Sequence, residues 1–330
     1  MAIEYLGSDG FENGTLRCAG VDTSGSVSIV TTAAGIKTGS YCCALDTNGL
    51  IRYAVTGTPA NCSVSFWLQH GADVWGYSSM YVQFILTSGE AIDIRWDGTN
   101  KTWDAYVDDV KVADGTIVTA NRVIFHTQFY AVIDNAGSIG VKVGGQQSIT
   151  YSGDTLPDGA SAEVAYIRFW SDVNDTVVYV DDIVWGTGGY LGDCRVEWLA
   201  PTADTAQDDW SASGAGDKYA DVDDIPASTV AYIYESDNGG SEELALADWT
   251  GTGKTPKLVT SWAYMKEDAA TADSIKVGVD SAATEDITEH VATDTWLFKS
   301  HVMALNPADS AAWEDADIDA LLWRAEAVIA

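Results

Sequence analysis

Apolar and polar residues alternate with period 2 along most of the chain. In Ala91-Ile92-Asp93-Ile94-Arg95-Trp96-Asp97-Gly98, Ile92, Ile94 and Trp96 share one face while Asp93, Arg95 and Asp97 share the other. That is the pattern of a strand with one face in a core, and Asp97-Gly98 supplies the turn that ends it. Further strands are predicted at 62–68, 81–86, 103–107, 139–143, 165–170 and 177–185. In the last of these both faces are apolar except at Asp181 and Asp182, which predicts a central strand covered on both sides and closing the first domain. Strands this closely spaced, with no helical periods between them, predict antiparallel sheets packed face to face.

Gly186-Thr187-Gly188-Gly189-Tyr190 interrupts the pattern and marks a domain boundary near residue 190. Two domains are predicted, 1–190 and 191–330, the second a smaller β-sandwich. In the second, strands are predicted at 230–235, 257–265, 274–279 and 296–305, with a final one at 324–329. Residues 202–224, rich in Asp, Ser, Ala and Gly, read as a long surface loop. Trp313 to Leu322 carries helical periodicity and predicts one short helix near the C-terminus.

Charge then narrows the partners. The chain has 330 residues with 17 basic and 49 acidic side chains, net -32, split -12 for 1–190 and -20 for 191–330. No basic cluster offsets this, which argues against nucleic acid as a partner. No run approaches the roughly 18 consecutive apolar residues of a membrane span, so no membrane insertion is expected, and Met1 to Tyr5 lacks the features of a signal peptide. The five cysteines, at 18, 42, 43, 62 and 194, contain no CxxC pair. A zinc site is not expected, and the cysteines leave open either a disulfide from Cys18 to Cys42 or Cys43, or buried thiols.

The order of short motifs resembles a known family. Gly7-Ser8-Asp9-Gly10-Phe11-Glu12, Ser65-Phe66-Trp67-Leu68, the stretch from Gly137 to Gly145 leading to Gly153-Asp154-Thr155, and Tyr179-Val180-Asp181-Asp182-Ile183 resemble laminin-G-like, concanavalin A-like jelly rolls. Leu191-Gly192-Asp193-Cys194-Arg195-Val196-Glu197, Asp209-Trp210, the run from Tyr219 to Asp224 and Trp313 with Asp317-Ile318-Asp319 extend the likeness. The tandem is similar to virion structural proteins of tailed bacteriophages. The resemblance implies a non-enzymatic particle component: a tail or baseplate appendage, a head fibre or a capsid decoration protein. It would assemble in the host cytoplasm and be exposed on the particle, as a homo-oligomer touching other virion proteins and host surface glycans. The alternative is a free carbohydrate-binding module or lectin, and a third class is a glycan-cleaving enzyme of the same fold.

Candidate chemistry was sought residue by residue. A glycosidase needs two carboxylates facing each other across a groove. Asp93, Arg95 and Asp97 share a face, as do Asp104, Tyr106 and Asp108, and both sets read as solvated acidic surface. No Gly-x-Ser-x-Gly elbow occurs, and His70, His126, His290 and His301 are scattered singly, so no catalytic residue is assigned. Calcium is the one metal weighed, with Asp181 and Asp182 as its candidate ligands, and no other cofactor is expected. Exposed aromatics are what sugar rings stack on, which makes Trp75, Tyr77 and Tyr81, in and beside a Gly- and Ser-containing segment, the glycan-contact candidates. Trp67, Trp96 and Trp185 alternate with apolar neighbours as core residues do.

Overall fold

The computed structural model describes residues 3–11, 21–31, 35–71, 80–172, 177–214, 216–224, 227–251, 254–268 and 273–329. The fold is all-β. The chain divides into two compact units, the first ending at Glu197 and the second beginning at Trp198.

In chain order the strands of the first unit are β1 (Glu4–Asp9), β2 (Val21–Ser24), β3 (Val27–Val30), β4 (Cys42–Leu45), β5 (Leu50–Ala54), β6 (Asn61–His70), β7 (Met80–Leu86) and β8 (Ala91–Asp97). They continue with β9 (Thr102–Val107), β10 (Val110–Asp114), β11 (Phe125–Val132), β12 (Gly137–Val143), β13 (Gln146–Gly153), β14 (Val164–Ser171) and β15 (Val178–Thr187). They form two antiparallel sheets. One has eight strands in the order β13-β12-β11-β6-β15-β4-β3 with β1 also on β15, and the other has seven in the order β10-β9-β8-β7-β14-β5-β2.

The apolar sets of the two sheets face each other. Phe66 of β6 meets Phe169 of β14 at 5.1 Å between ring centroids, Phe84 of β7 stacks on Phe129 of β11 at 4.3 Å, and Tyr53 of β5 lies 4.8 Å from Trp185 of β15. These pairs place the core between the sheets, the sandwich that the alternation predicts. Ile92, Ile94 and Trp96 point into it as expected, and His70 is buried there against Trp96 at 3.9 Å.

Strand β15 is central, and its two aspartates mark a branch point. Its edge pairs with β4 through Val180 and with β1 from Ile183 onward, and a bulge falls between Asp181 and Val184. Asp182 adopts a left-handed φ of 48° there, which lets the strand re-aim its edge from one partner to the other. The glycine-rich segment after β15 stays tied to this unit: Gly188 N donates to Asn61 Oδ1 at 2.9 Å and Gly192 N to Gln128 Oε1 at 2.7 Å. Cys43 of β4 and Cys62 of β6 are buried free thiols, Cys42 is buried next to Cys43 in sequence, and Cys18 lies outside the described residues.

The second unit contains β16 (Pro201–Asp208), β17 (Ser211–Ala212), α1 (Tyr219–Val222), β18 (Ile233–Tyr234), β19 (Ser241–Leu246), β20 (Val259–Met265), β21 (Ser274–Ser281), β22 (Thr284–Val291), β23 (Leu297–Met303), α2 (Asp315–Asp319) and β24 (Leu322–Val328). Five strands form an antiparallel sheet, β16-β19-β24-β21-β22, joined by two-stranded ladders β17-β18 and β20-β23. Val279, Met303, Trp313, Ile318 and Leu321 cluster in one core and Trp210, Ala325 and Ala327 in another.

Two expectations are corrected here. The segment 202–224 is not one loop, because β16 runs along β19 as an edge strand whose Thr, Ala, Asp and Gln residues carry no apolar alternation. The C-terminal helix is confined to Asp315–Asp319, closed at its start by reciprocal Glu314 and Asp317 capping contacts, while Trp313 and Leu321 reach the core from outside it.

Candidate functional site

The outer face of the seven-stranded sheet gathers the chemistry of the first unit. Because side chains alternate, the strands that send Ile167, Phe169, Val82, Phe84, Ile92 and Ile94 into the core must send their intervening residues outward. Registers then align those residues into rows. One row runs Arg52 (β5), Arg168 (β14), Gln83 (β7), Asp93 (β8), Tyr106 (β9) and Lys111 (β10). The next runs Leu50, Trp170, Tyr81, Arg95 and Asp104.

Contacts knit the rows together. Tyr81 and Trp170 stack with centroids 4.6 Å apart, both half-buried, and the Tyr81 hydroxyl donates to Asp172 Oδ2 at 3.1 Å. The Arg95 guanidinium lies 4.0 Å from the Tyr106 ring centroid and 5.2 Å from that of Tyr81. Its Nε donates to Asp93 Oδ2 at 2.5 Å and its Nη2 to Asp93 Oδ1 at 3.3 Å, and it also pairs with Asp109. Arg168 Nε donates to Gln83 Oε1 at 2.6 Å, and the Arg52 guanidinium sits 4.3 Å over Tyr166. Lys111 Nζ donates to Asp104 Oδ2 at 2.7 Å.

This face is not the solvated acidic surface read from the sequence. Asp93 is 0% and Asp104 3% exposed, because arginine, lysine and tyrosine side chains from the neighbouring strands cover them. Burial pushes the Asp93 carboxyl up to about 6 despite Arg95. Both its oxygens are held by Arg95, so it orients that guanidinium and the ring faces beneath it. The result is a set of fixed aromatic faces beside fixed hydrogen-bonding groups, a surface suited to stacking a flat apolar ring face while bonding the polar groups at its rim.

Of the glycan-contact candidates, Tyr81 is on this face, and Trp75 and Tyr77 lie outside the described residues. Trp96 and Trp185 are core residues, whereas Trp67 is not. It projects from the outer face of the eight-stranded sheet between the cations of Lys37 and Arg195, each 4.1 Å from its ring, and stacks on His126. Trp170, Arg168 and Arg52 were missed, because only the pairing of β14 with β7 and of β5 with β14 brings them onto the face of Tyr81.

Asp181 and Asp182, the calcium candidates, are buried with their carboxylates taken up by protein donors. Asp181 Oδ2 accepts from Lys37 N at 2.6 Å and Thr38 N at 3.3 Å, and its Oδ1 from Asp182 N at 2.8 Å. Asp182 accepts from Thr38 Oγ1 at 2.7 Å and Val196 N at 2.8 Å, with Arg195 Nε 3.7 Å away. The pair clamps the loop at 37–38 and the segment at 195–196 to the branch point of β15. Among the described residues, no group of three or more His, Cys, Asp or Glu side chains is placed to hold a metal ion.

The histidines are not all solitary. His126 Nε2 lies 2.7 Å from Ser65 Oγ, which also lies 2.9 Å from Gly192 O, so the backbone carbonyl competes with the histidine for the single serine proton. Burial lowers His126 to about 4, so its imidazole is neutral at neutral pH. His301 bridges Asp286 Oδ1 and Thr288 Oγ1 at 2.7 and 2.8 Å in the second unit.

No family model and no curated protein matches the chain. Among solved structures, it is similar to a conserved carbohydrate esterase from the Shiga toxin-encoding bacteriophage phi24B, at TM-score 0.44 and 16% identity over 57% of this chain and 100% of that one. It is also similar to domain 4 of a GH43 extracellular arabinanase from Geobacillus stearothermophilus in complex with arabinotriose, at TM-score 0.40 and 15% identity over 57% and 94%. Alginate lyase Aly36B gives TM-score 0.36 and 11% identity over 46% and 81%. These likenesses are distant in sequence and partial in structure.

Proposed function

We propose that the first unit binds carbohydrate on the outer face of its seven-stranded sheet and does not cleave it. The observation that carries this is the stacked Tyr81–Trp170 pair, with Arg95 in its own row and Arg168, Gln83 and Asp93 in the adjacent row. Each polar group is oriented by a protein neighbour before any ligand arrives, which lowers the ordering cost of binding. Stacking of one sugar ring on such a platform contributes on the order of 1 kcal/mol or more.

The test is glycan-array screening of the intact chain, followed by calorimetry on each hit with the wild type and Trp170→Ala. Loss of binding in the variant, with its near-ultraviolet dichroism unchanged, supports the reading. Unchanged affinity would place the ligand elsewhere, and release of reducing ends or unsaturated products from any bound glycan would overturn the non-catalytic part.

The setting we propose for this binding is a tailed-phage particle, with the chain as a homo-oligomer beside other virion proteins and the sheet face turned to host glycans. The motif order of the tandem supports it. Mass spectrometry of purified particles tests it, and absence from every particle would leave a free carbohydrate-binding module.

A further inference from the structure

In the row of the binding face that runs through Gln83, two arginines lie side by side and one of them, Arg168, is held without an ion pair among the described residues. Arg52 and Arg168 stand directly opposite each other on β5 and β14, where like charges are destabilising. Arg168 makes no ion pair among the described residues. Its Nε is held by Gln83 Oε1 at 2.6 Å, and its Nη1 and Nη2 have no hydrogen-bonded partner there. The row continues past Arg52 to Asp22 on β2, and Asp93, two strands away on the other side, has both oxygens on Arg95. Burial, then the Arg52 charge, lowers the Arg168 pKa against the pull of Asp93, so the site works against keeping this cation charged. In a chain with 49 acidic side chains, a half-buried guanidinium left without a carboxylate is an open position for an anion. The neighbouring side chain on the same face, two residues along β14, is Trp170, about 7 Å away. A sugar stacked on that ring brings the carboxylate at its C5 within reach of the Arg168 fork, whose planar edge matches a carboxylate.

We propose that Arg168 receives the carboxylate of a uronic acid stacked on Trp170, so that the ligand of this face is a uronate-containing polysaccharide. This rests on the binding reading above and specifies its ligand.

The experiment is calorimetry of the intact chain with hexasaccharides of galacturonate, mannuronate–guluronate and glucuronate, the same oligosaccharides after carboxyl reduction, and a sulfated galactan oligosaccharide. One uronate series should bind, its reduced form about tenfold more weakly or worse, since a charge-assisted hydrogen bond is at stake. Arg168→Gln should remove that difference, bringing the affinity for the uronate down to that of the reduced sugar with the same variant. Arg168→Lys, which keeps the charge without the fork, should fall between them, and Trp170→Ala should weaken both forms. Equal affinity for the acidic and reduced sugars, an Arg168→Gln variant that binds uronate like wild type, or preference for the sulfated ligand overturns the uronate assignment and leaves carbohydrate binding standing. If no glycan of either charge binds the folded chain, both fall.

Discussion

Replacing Asp181 by alanine is the sharpest probe of how the first unit is held together, because the same residue was the leading calcium ligand in the sequence. The substitution removes the acceptor of three backbone amides, those of Lys37, Thr38 and Asp182. A buried donor left without an acceptor costs about 1–3 kcal/mol. The Thr38 contact is the longest, and residues 36–40 border solvent, so water recovers part of the loss there. Burial, then the charge of Asp182, raises the pKa of Asp181, so removing that carboxylate also relieves an electrostatic cost. Roughly 3 kcal/mol of net destabilisation is the expected outcome, concentrated at the β15 branch. A two-unit chain need not unfold in one step. The assay is therefore amide exchange at Lys37, Thr38 and Asp182, with urea unfolding followed by near-ultraviolet dichroism. Unchanged protection of those amides would refute the clamp. Calcium gives the independent arm: a site saturated a hundredfold above its Kd would add about 2.7 kcal/mol to the wild type and nothing to the variant. That pattern would return the aspartates to metal binding, whereas the clamp requires calcium to change neither.

Two further outcomes are expected. His70 is fully buried with neither ring nitrogen bonded, and burial lowers its pKa to about 3 against about 6.5 unfolded. Its neutral form is the one that folds, so stability is intact above about pH 6.5 and is lost progressively towards pH 3 as the unfolded chain takes the proton. His70→Phe should reduce that slope in urea midpoints measured against pH, leaving the same-sign contributions of His126 and His290 and the opposite-sign ones of Asp93 and Asp181, and an unchanged slope would refute it. In the second unit, Lys218 Nζ donates to the carboxylate of Glu242, which is 0% exposed and also accepts from Trp210 N. Lys218→Met should cost about 3–5 kcal/mol by leaving that charge alone, and Lys218→Met with Glu242→Leu should recover most of it. Limited proteolysis should show the single variant opening beyond Trp198 first, and equal resistance of both variants would count against the pair.

The architecture was legible where burial is one-sided. Ile92, Ile94 and Trp96 announce β8 because their neighbours are Asp and Arg, and the apolar run around Asp181 and Asp182 announces a central strand. Strand β16 was illegible because an edge strand of Thr, Ala, Asp and Gln borrows its identity from β19. Trp67 was misread for a related reason. Alternation shows that Trp67 shares a face with Ser65 and Gln69, and it takes tertiary structure to bring Lys37 and Arg195 over its ring. The site was half legible. Tyr81 stood out as an aromatic beside a polar segment, but Trp170, its stacking partner, is far away in sequence and adjacent only through the β14–β7 register.

The same register explains why a face that looks acidic strand by strand behaves otherwise in three dimensions. Four of the nine basic residues in positions 1–190, Arg52, Arg95, Lys111 and Arg168, come from four different strands and converge on it. Two of them cover Asp93 and Asp104 and are locked in place by doing so. A third stacks over Tyr166. Only Arg168 is held through a neutral amide, which orients its guanidinium without neutralising it. Carboxylates beneath the face therefore fix its shape, and Arg168, which has no ion pair among the described residues, sits beside the Trp170 platform. Such a division of labour separates stability from recognition: loss of Asp93 should disorder the face as a whole, whereas loss of the Arg168 charge should weaken binding of an acidic ligand most and leave the fold of the face intact.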